Sequence, residues 1–397
     1  MTSAQETAFD SWLERQLRHS ARAMLTSISP VAIVKHRPGF GQVVQPIAGA
    51  IVASPVLGDW KPDPDYFFHW FRDSAVVIDA LRLLYADRRV DDQALRHLRD
   101  FTRFSLALNR LDGRAVAAVP DRRARVAPDF LQYLRDDDDL AHVHGDAVVA
   151  ETRVNPDGTL DISRWSRPQH DGAPLRALAL LRWTAGGHLD AALLAEIADL
   201  IRFDLDFTLR HWREPSYDIW EEDIGDHYYT LRVSAAALGE GAAWLQGLGE
   251  TALAQRCRDE SQAVLRLLDG YWVGDETGDA VGDAVGNLVG NELGNRGATP
   301  GYFRSRGLAS DRPSPKALDI AVILAAIHSV GPDSPIPAKH GPADPRMQAT
   351  LARLDALFAA AYPINHALDH GRGTAMGRYA GDVYFSGGAY YLSLIHI

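Results

Sequence analysis

One cysteine, Cys257, is present in 397 residues. That excludes an intramolecular disulfide and any cysteine-rich metal centre. The 15 histidines show no H-E-x-x-H or similar spacing, so neither a metal nor another cofactor is expected. No Lys/Arg-rich run offsets the acidic balance, a net charge of -11, which argues against a nucleic-acid partner. No stretch is apolar for long enough to span a membrane. Met1 to Ser27 has no apolar core bounded by a cleavage site, and so no secretion signal. A soluble cytoplasmic protein is the expectation, with another export route left open. Strand signals are sparse, which disfavours a βαβ architecture.

What is present is helical periodicity. Phe9, Leu13, Leu17, Ala21 and Met24 predict a first amphipathic helix. An extended stretch follows, with Val43, Val44, Ile51 and Val52. Val77, Ala80, Leu81 and Leu84 make the buried stripe of the next helix, and another runs near Asp91 to Asn109 with Ala94, Leu98, Phe101 and Leu108 inward. Residues 110–164 read as a long excursion, and Asp136 to Asp139 as a solvated turn rather than a metal site. Pro174 suits the first turn of a helix carrying Leu175, Leu178 and Ala179. Leu193, Ile197, Leu200 and Ile201 share a face of the next, which ends near Trp212, and Leu231, Ala235, Leu238, Ala242 and Leu245 point inward in another. Further helices are expected over Glu250 to Tyr271, Lys316 to His328, and Pro345 to Ala361. Between them, glycine recurs every four residues from Gly278 to Gly294, too often for a helix, and reads as a low-complexity surface loop. The expected fold is all-α, a ring of helical hairpins whose loop-rich end makes the site.

Four loops carry chemistry. S-Y-D-I-W-E-E-D-I-G-D, Ser216 to Asp226, sets Asp218, Glu221, Glu222 and Asp223 around Trp220. Acids buried together displace one another's pKa values, so one can stay protonated near neutrality beside another that stays charged. An indole face beside hydroxyl-accepting acids suits a sugar. The plainer alternative is a solvated approach to the next helix, with Asp226 as its N-cap. K-P-D-P-D-Y-F-F-H-W-F-R-D-S, Lys61 to Ser74, ends in Arg72 and Asp73 at a helix mouth, where side chains can enter a cleft. The alternative there is a core aromatic cluster with a structural ion pair. R-W-S-R-P-Q-H-D-G, Arg164 to Gly172, is turn-rich and carries Trp165. Gly377 to Tyr391 is a further aromatic loop with one arginine, Arg378.

Together these stretches resemble the glucoamylases, glycoside hydrolase family 15. Y-F-F-H-W-F-R-D-S is similar to that family's D-Y-F-Y-x-W-x-R-D segment, and R-W-S-R-P-Q-H-D-G-x-x-L-R to its S-W-G-R-P-Q-x-D-G-x-x-L-R. Y-D-I-W-E-E-D-I-G-D-H-Y-Y-T matches its Y-D-L-W-E-E-x-x-G-x-x-F-F-T, and G-R-Y-A-G-D-V-Y-F-S-G-G-A-Y its G-R-Y-P-E-D-x-Y-x-x-G-N-P-W. The resemblance implies an (α/α)6 barrel, one catalytic domain over residues 1–391, with its last helices missing. It implies inverting hydrolysis of terminal α-1,4-linked glucose from the non-reducing ends of starch-like glucans or maltooligosaccharides, releasing β-D-glucose. By position Glu221 is the general acid, with Asp218, Trp220 and Glu222 as pocket neighbours. Tyr66, Arg72 and Asp73 would hold the terminal glucose, Trp165 would flank the cleaved bond, and Arg378 and Tyr384 would contact sugar. Inverting hydrolysis needs an acid and a base roughly 6.5–9.5 Å apart. Glu222 and Asp218 close to Glu221 favour its keeping a proton, and Arg72 paired with Asp73 offers a fork for sugar hydroxyls.

The sequence departs from that pattern in places. P-E-D reads Ala380-Gly381-Asp382, and N-P-W reads Gly388-Ala389-Tyr390. The segment that carries the family's base has no counterpart, and Leu392 to Ile397, L-S-L-I-H-I, reads like a translated library adapter. The expectation is a truncated, inactive piece of an active parent. Other family 15 specificities (trehalose, dextran-type chains or isomaltose) and a non-catalytic glucan-binding role remain as alternatives.

Overall fold

The computed structural model describes residues 3–58, 64–274, 301–307, 315–331, 339–366 and 373–382. The expectations for the glycine repeat, Tyr384 and residues 392–397 lie outside the described residues. The chain divides into two compact units, Met1–Thr208 and Leu209–Ile397. Both are predominantly helical.

In the first unit, α1 is Ser3–Leu25, α2 Phe71–Ala86, α3 Gln93–Leu108, α7 Gly172–Ala185 and α8 Ala191–His211, whose last residues belong to the second unit. Three short helices fill the excursion: α4 (Gly113–Ala117), α5 (Asp137–Ala141) and α6 (Asp146–Val149). The extended stretch pairs β1 (Lys35–Arg37) with β2 (Gln42–Val44), Lys35 opposite Val44. Asp137 to Asp139 form the first turn of α5, where acids suit the helix dipole. Three of the cluster's acids take arginines: Asp136 pairs with Arg164, Asp137 with Arg122 and Asp139 with Arg135.

Helix α1 forms as expected, with Phe9, Leu13 and Leu17 exposed and Ala21 and Met24 half-buried. In α2 the buried positions are Phe71, Ser74, Ala75, Ile78 and Leu81, about one residue round from the expected stripe. The reason is α7, which packs along α2: Trp183 Nε1 donates to the Ile78 carbonyl at 3.0 Å. Helix α7 is buried almost all round, and Arg176 survives there by donating to Asp204 of α8 at 2.9 and 2.6 Å.

The mouths of α2 and α7 touch. A Cβ built on Gly172 would lie 2.5 Å from the Phe71 Cβ. Gly172→Ala must therefore push the two helix starts apart, at a cost of about 1–3 kcal/mol, read as a lower urea midpoint at unchanged slope. A midpoint equal to the parent's contradicts this packing.

In the second unit, α9 (Tyr228–Gly247) is central and packs against α10 (Thr251–Asp269) and α11 (Ala321–Ser329), with α12 (Pro345–Ala361) after them. Ser261 Oγ donates to the Ala235 carbonyl at 2.7 Å, and Tyr229 Oη lies 2.7 Å from His328 Nδ1. Helix α11 starts at Ala321 rather than Lys316, because Asp319 Oδ1 takes the Ala321 N–H at 2.8 Å. Among the described residues no helix is long and apolar enough to cross a membrane.

Candidate active site

The first unit gathers aromatic rings around one cation. Strand β3 (His69–Trp70) pairs with β4 (Arg153–Val154), placing Trp70 opposite Arg153. The Arg153 guanidinium lies 3.6 Å from the Trp165 ring centre, 4.0 Å from Phe68 and 4.8 Å from Trp70. Trp70 meets Trp165 edge-on at 6.2 Å and Tyr66 at 5.7 Å. Cation–π and edge contacts thus fix Tyr66 and Trp165 on one ridge. Trp165 remains 36% exposed, enough of its face to meet a ligand.

Arg153 is held in turn by Asp161 at 2.9 Å and Ser163 Oγ at 3.1 Å, and Arg167 joins Asp161 at 3.0 Å. Burial pushes the Asp161 carboxyl up. The two guanidiniums and the Ser163 hydrogen bonds outweigh it, holding Asp161 well below the usual carboxylate range.

Arg72 sits where the α2 and α7 mouths meet. Its Nη1 donates to Asp171 at 3.2 Å, while its Nε is 3.6 Å from Asp73. The expected Arg72–Asp73 pair is thus present, and the buried Asp171, brought close by Gly172, is a second partner of the same guanidinium. Asp73 keeps a side chain 39% exposed at the helix mouth.

The second unit holds the acidic stretch as a hairpin tip. Strands β5 (Ser216–Tyr217) and β6 (Ile224–Gly225) pair antiparallel, and the six residues between them turn sharply. The Asp218 N–H donates to the Asp223 carbonyl at 3.0 Å, the Glu221 N–H to the Asp218 carbonyl at 2.9 Å, and the Glu222 N–H to Asp218 Oδ1 at 2.8 Å. Glu221 is half-buried with φ 64°, a left-handed conformation that costs a non-glycine residue energy. The approach to α9 is a hairpin with Glu222, Ile224 and Asp226 exposed, and Asp226 is not its N-cap: His227 precedes α9, and no side chain caps it.

Cations order the tip. Lys316 bonds Glu222 and lies 2.8 Å from Asp223 and 3.9 Å from Asp218. Arg378 reaches Glu222 at 2.9 Å and is itself clamped by Asp382, and Tyr379 Oη donates to Glu222 at 2.6 Å. Burial opposes ionisation of Glu222, but the Lys316 and Tyr379 hydrogen bonds and the Arg378 charge prevail and lower its pKa. Asp223 is lowered likewise, chiefly by Lys316 against burial. The carboxyl pushed upward is Asp319, to about 7: burial dominates over bonds from Ala321 and Trp220. A small hollow beside the tip is lined by Asp218, Trp220, His227, Lys316 and Asp319 among others; Glu221 is not among its lining residues.

Among the expected residues, Tyr66, Arg72, Asp73 and Trp165 lie in the first unit, and Asp218, Trp220, Glu221, Glu222 and Arg378 in the second. Sequence reasoning passed over Arg153, Asp161, Asp171, Lys316, Asp319 and Tyr379. Asp171 and Tyr379 lay inside stretches already singled out, and Lys316 is one of only four lysines in an acidic chain. Asp319 carried no signal, because its helical surroundings hide the turn it occupies.

The family model described as Glycosyl hydrolases family 15 matches residues 39–106 and 150–396. Glucoamylase S1 of Saccharomyces cerevisiae is 26% identical over 395 residues, 95% of this chain and 43% of that protein. The glucoamylase structure from Hormoconis resinae superposes with a TM-score of 0.64 at 25% identity, over 93% of this chain and 53% of that one. The Saccharomycopsis fibuligera glucoamylase gives 0.66 at 20% identity, over 96% and 69%, a likeness of fold. The chain spans about half the length of the curated relatives it matches.

Proposed function

This chain belongs to the glycosyl hydrolases family 15, and from that premise we propose that the protein is an exo-acting, inverting α-glucan hydrolase. It removes terminal α-1,4-linked glucose from starch-like glucans and maltooligosaccharides and releases β-D-glucose. The proposed architecture is a catalytic (α/α)6 barrel to which residues 1–391 contribute, and the likeness to glucoamylase structures supports it.

In this reading Glu221 gives its proton to the glycosidic oxygen as the C1–O bond breaks, and water attacks C1 from the opposite face. We assign no residue of this chain as the base that activates that water. Asp218, Trp220, Glu222 and Arg378 shape the pocket around the acid, with Tyr384 as a further sugar contact. Tyr66, Arg72, Asp73 and Trp165 bind glucose, the charged pair by hydrogen bonds and Trp165 by its exposed ring.

The observation that carries the assignment of Glu221 is its strained backbone, φ 64°, in a tip fixed by three hydrogen bonds among neighbouring acids. Strain held by its surroundings is expected where a side chain must be aimed. Proton NMR of maltotriose digestion by the whole protein tests the proposal. The β-anomer of glucose is expected to appear first and only later to mutarotate. Appearance of the α-anomer first, or no glucose from maltotriose, overturns it. Glucose from trehalose, dextran or isomaltose, but not from maltotriose, moves the specificity within the family.

A further inference from the structure

Trp220 Nε1 donates to both oxygens of Asp319, at 3.1 and 2.9 Å. Asp319 is 3% exposed and also receives the Ala321 N–H. Its backbone is tied down on a second side: Asp319 bridges to Tyr379, and the Ile320 N–H donates to the Arg378 carbonyl at 2.9 Å. One turn therefore grips both the indole of the hairpin tip and the segment carrying Arg378, whose guanidinium lies 5.2 Å from the Trp220 ring centre. The reaction proposed above gives Asp319 no task.

We propose that Asp319 is a positioning residue that sets the plane of the Trp220 indole, and so the apolar face offered to a sugar ring, through this buried carboxyl–indole hydrogen bond. The sugar in that statement rests on the glycosidase reading; the indole contact does not. An indole N–H buried without an acceptor costs free energy, so removing the carboxyl lets the ring turn to find another.

The grip also depends on pH. Asp218 faces Asp319 from the hairpin, Lys316 from the preceding turn and Arg378 from the following segment, while His227, Tyr229 and Arg306 line the same hollow. Burial lowers the His227 pKa and so favours its neutral form. Lys316 is raised, because its bonds to Asp223 and Glu222 outweigh burial, and it stays charged. Asp319 itself changes charge near pH 7. Its ionised form is the stronger acceptor for the indole N–H, so the ring is gripped more tightly above that pH.

The test is fluorine NMR of protein labelled with 5-fluorotryptophan. Of the nine tryptophans, Trp220 is identified by the resonance missing in Trp220→Phe. It is expected to titrate with a midpoint near 7, to stop titrating in Asp319→Asn, which keeps an acceptor, and to move and broaden in Asp319→Ala. Maltotriose affinity, measured in a Glu221→Gln background so that the ligand survives, is expected to fall roughly tenfold in Asp319→Ala and to return within about threefold in Asp319→Asn. A Trp220 resonance that titrates in Asp319→Ala as in the parent overturns the proposal. So does a displaced indole with unchanged maltotriose affinity. Failure of the parent itself to bind maltotriose defeats the glycosidase reading instead, and the fluorine titration still decides whether Asp319 holds the ring.

Discussion

Replacing Glu221 with glutamine in the whole protein is expected to slow glucose release from maltotriose by ~10²–10⁴. Glutamine keeps the length of the side chain and the backbone bonds of the tip, so the hairpin closes as before. It cannot deliver a proton to the departing oxygen, and that loss is the whole of the expected effect. A companion substitution separates chemistry from architecture. Glu221→Gly removes the same proton donor but relieves the positive φ, since glycine occupies the left-handed region without a Cβ clash. It is expected to be as slow as Glu221→Gln and to unfold at equal or higher denaturant, by about 1 kcal/mol. A residue kept for stability predicts the opposite order, with glycine the weaker fold. If Glu221→Gln retains more than about a tenth of the parent rate, Glu221 is not the acid.

That a strained acid sits at a hairpin tip could not be read from the chain. The four carboxylates and Trp220 were legible as a candidate site, because acids at that density are costly unless something answers them. What answers them is distant: Glu222 is 156 residues from Arg378, and Trp220 is 99 from Asp319. No local pattern reports such pairs. Helices with one clear apolar side were legible to the residue, as in α3, where Ala94, Leu98, Phe101 and Leu108 are all buried. Helix α2 was legible as a helix but not in its facing, since the neighbour that fixes its rotation starts 101 residues after it does. The start of α11 was misplaced because Asp319 reads as an ordinary helical residue until its side chain is seen taking the Ala321 N–H. In both helices periodicity gave the element; a partner remote in sequence decided the orientation of α2, and a side-chain bond two residues away decided the start of α11.

Asp161 is the position where a single change should cost most stability, and its partners, unlike those of the hairpin tip, are only eight and six residues away. Asp161 is 2% exposed and lies between the guanidiniums of Arg153 and Arg167, both of them largely buried. Asp161→Ala takes from Arg153 a buried counter-charge, while Arg167 keeps Glu151 at 2.6 Å, and breaking a buried pair in this way typically costs ~3–5 kcal/mol. Urea unfolding near pH 7 measures it; a loss under about 1 kcal/mol contradicts the role given to the pair. The acid limb supplies an independent sign. Because the folded-state pKa of Asp161 is depressed, its contribution is complete above the unfolded value near 4 and drains away as pH falls toward the folded one. Asp204 works the other way. Burial outweighs its one arginine, its pKa is raised, and its contribution fades as pH climbs through the folded value. Two guanidiniums and a serine overcome desolvation at Asp161, where one guanidinium does not at Asp204. Asp161→Asn should accordingly flatten the fall in stability below pH 4 and leave the opposite-signed contribution of Asp204 as it was. Asp161 also helps to hold Arg153 against the face of Trp165, so a variant that unfolds early should also show a more mobile Trp165 ring.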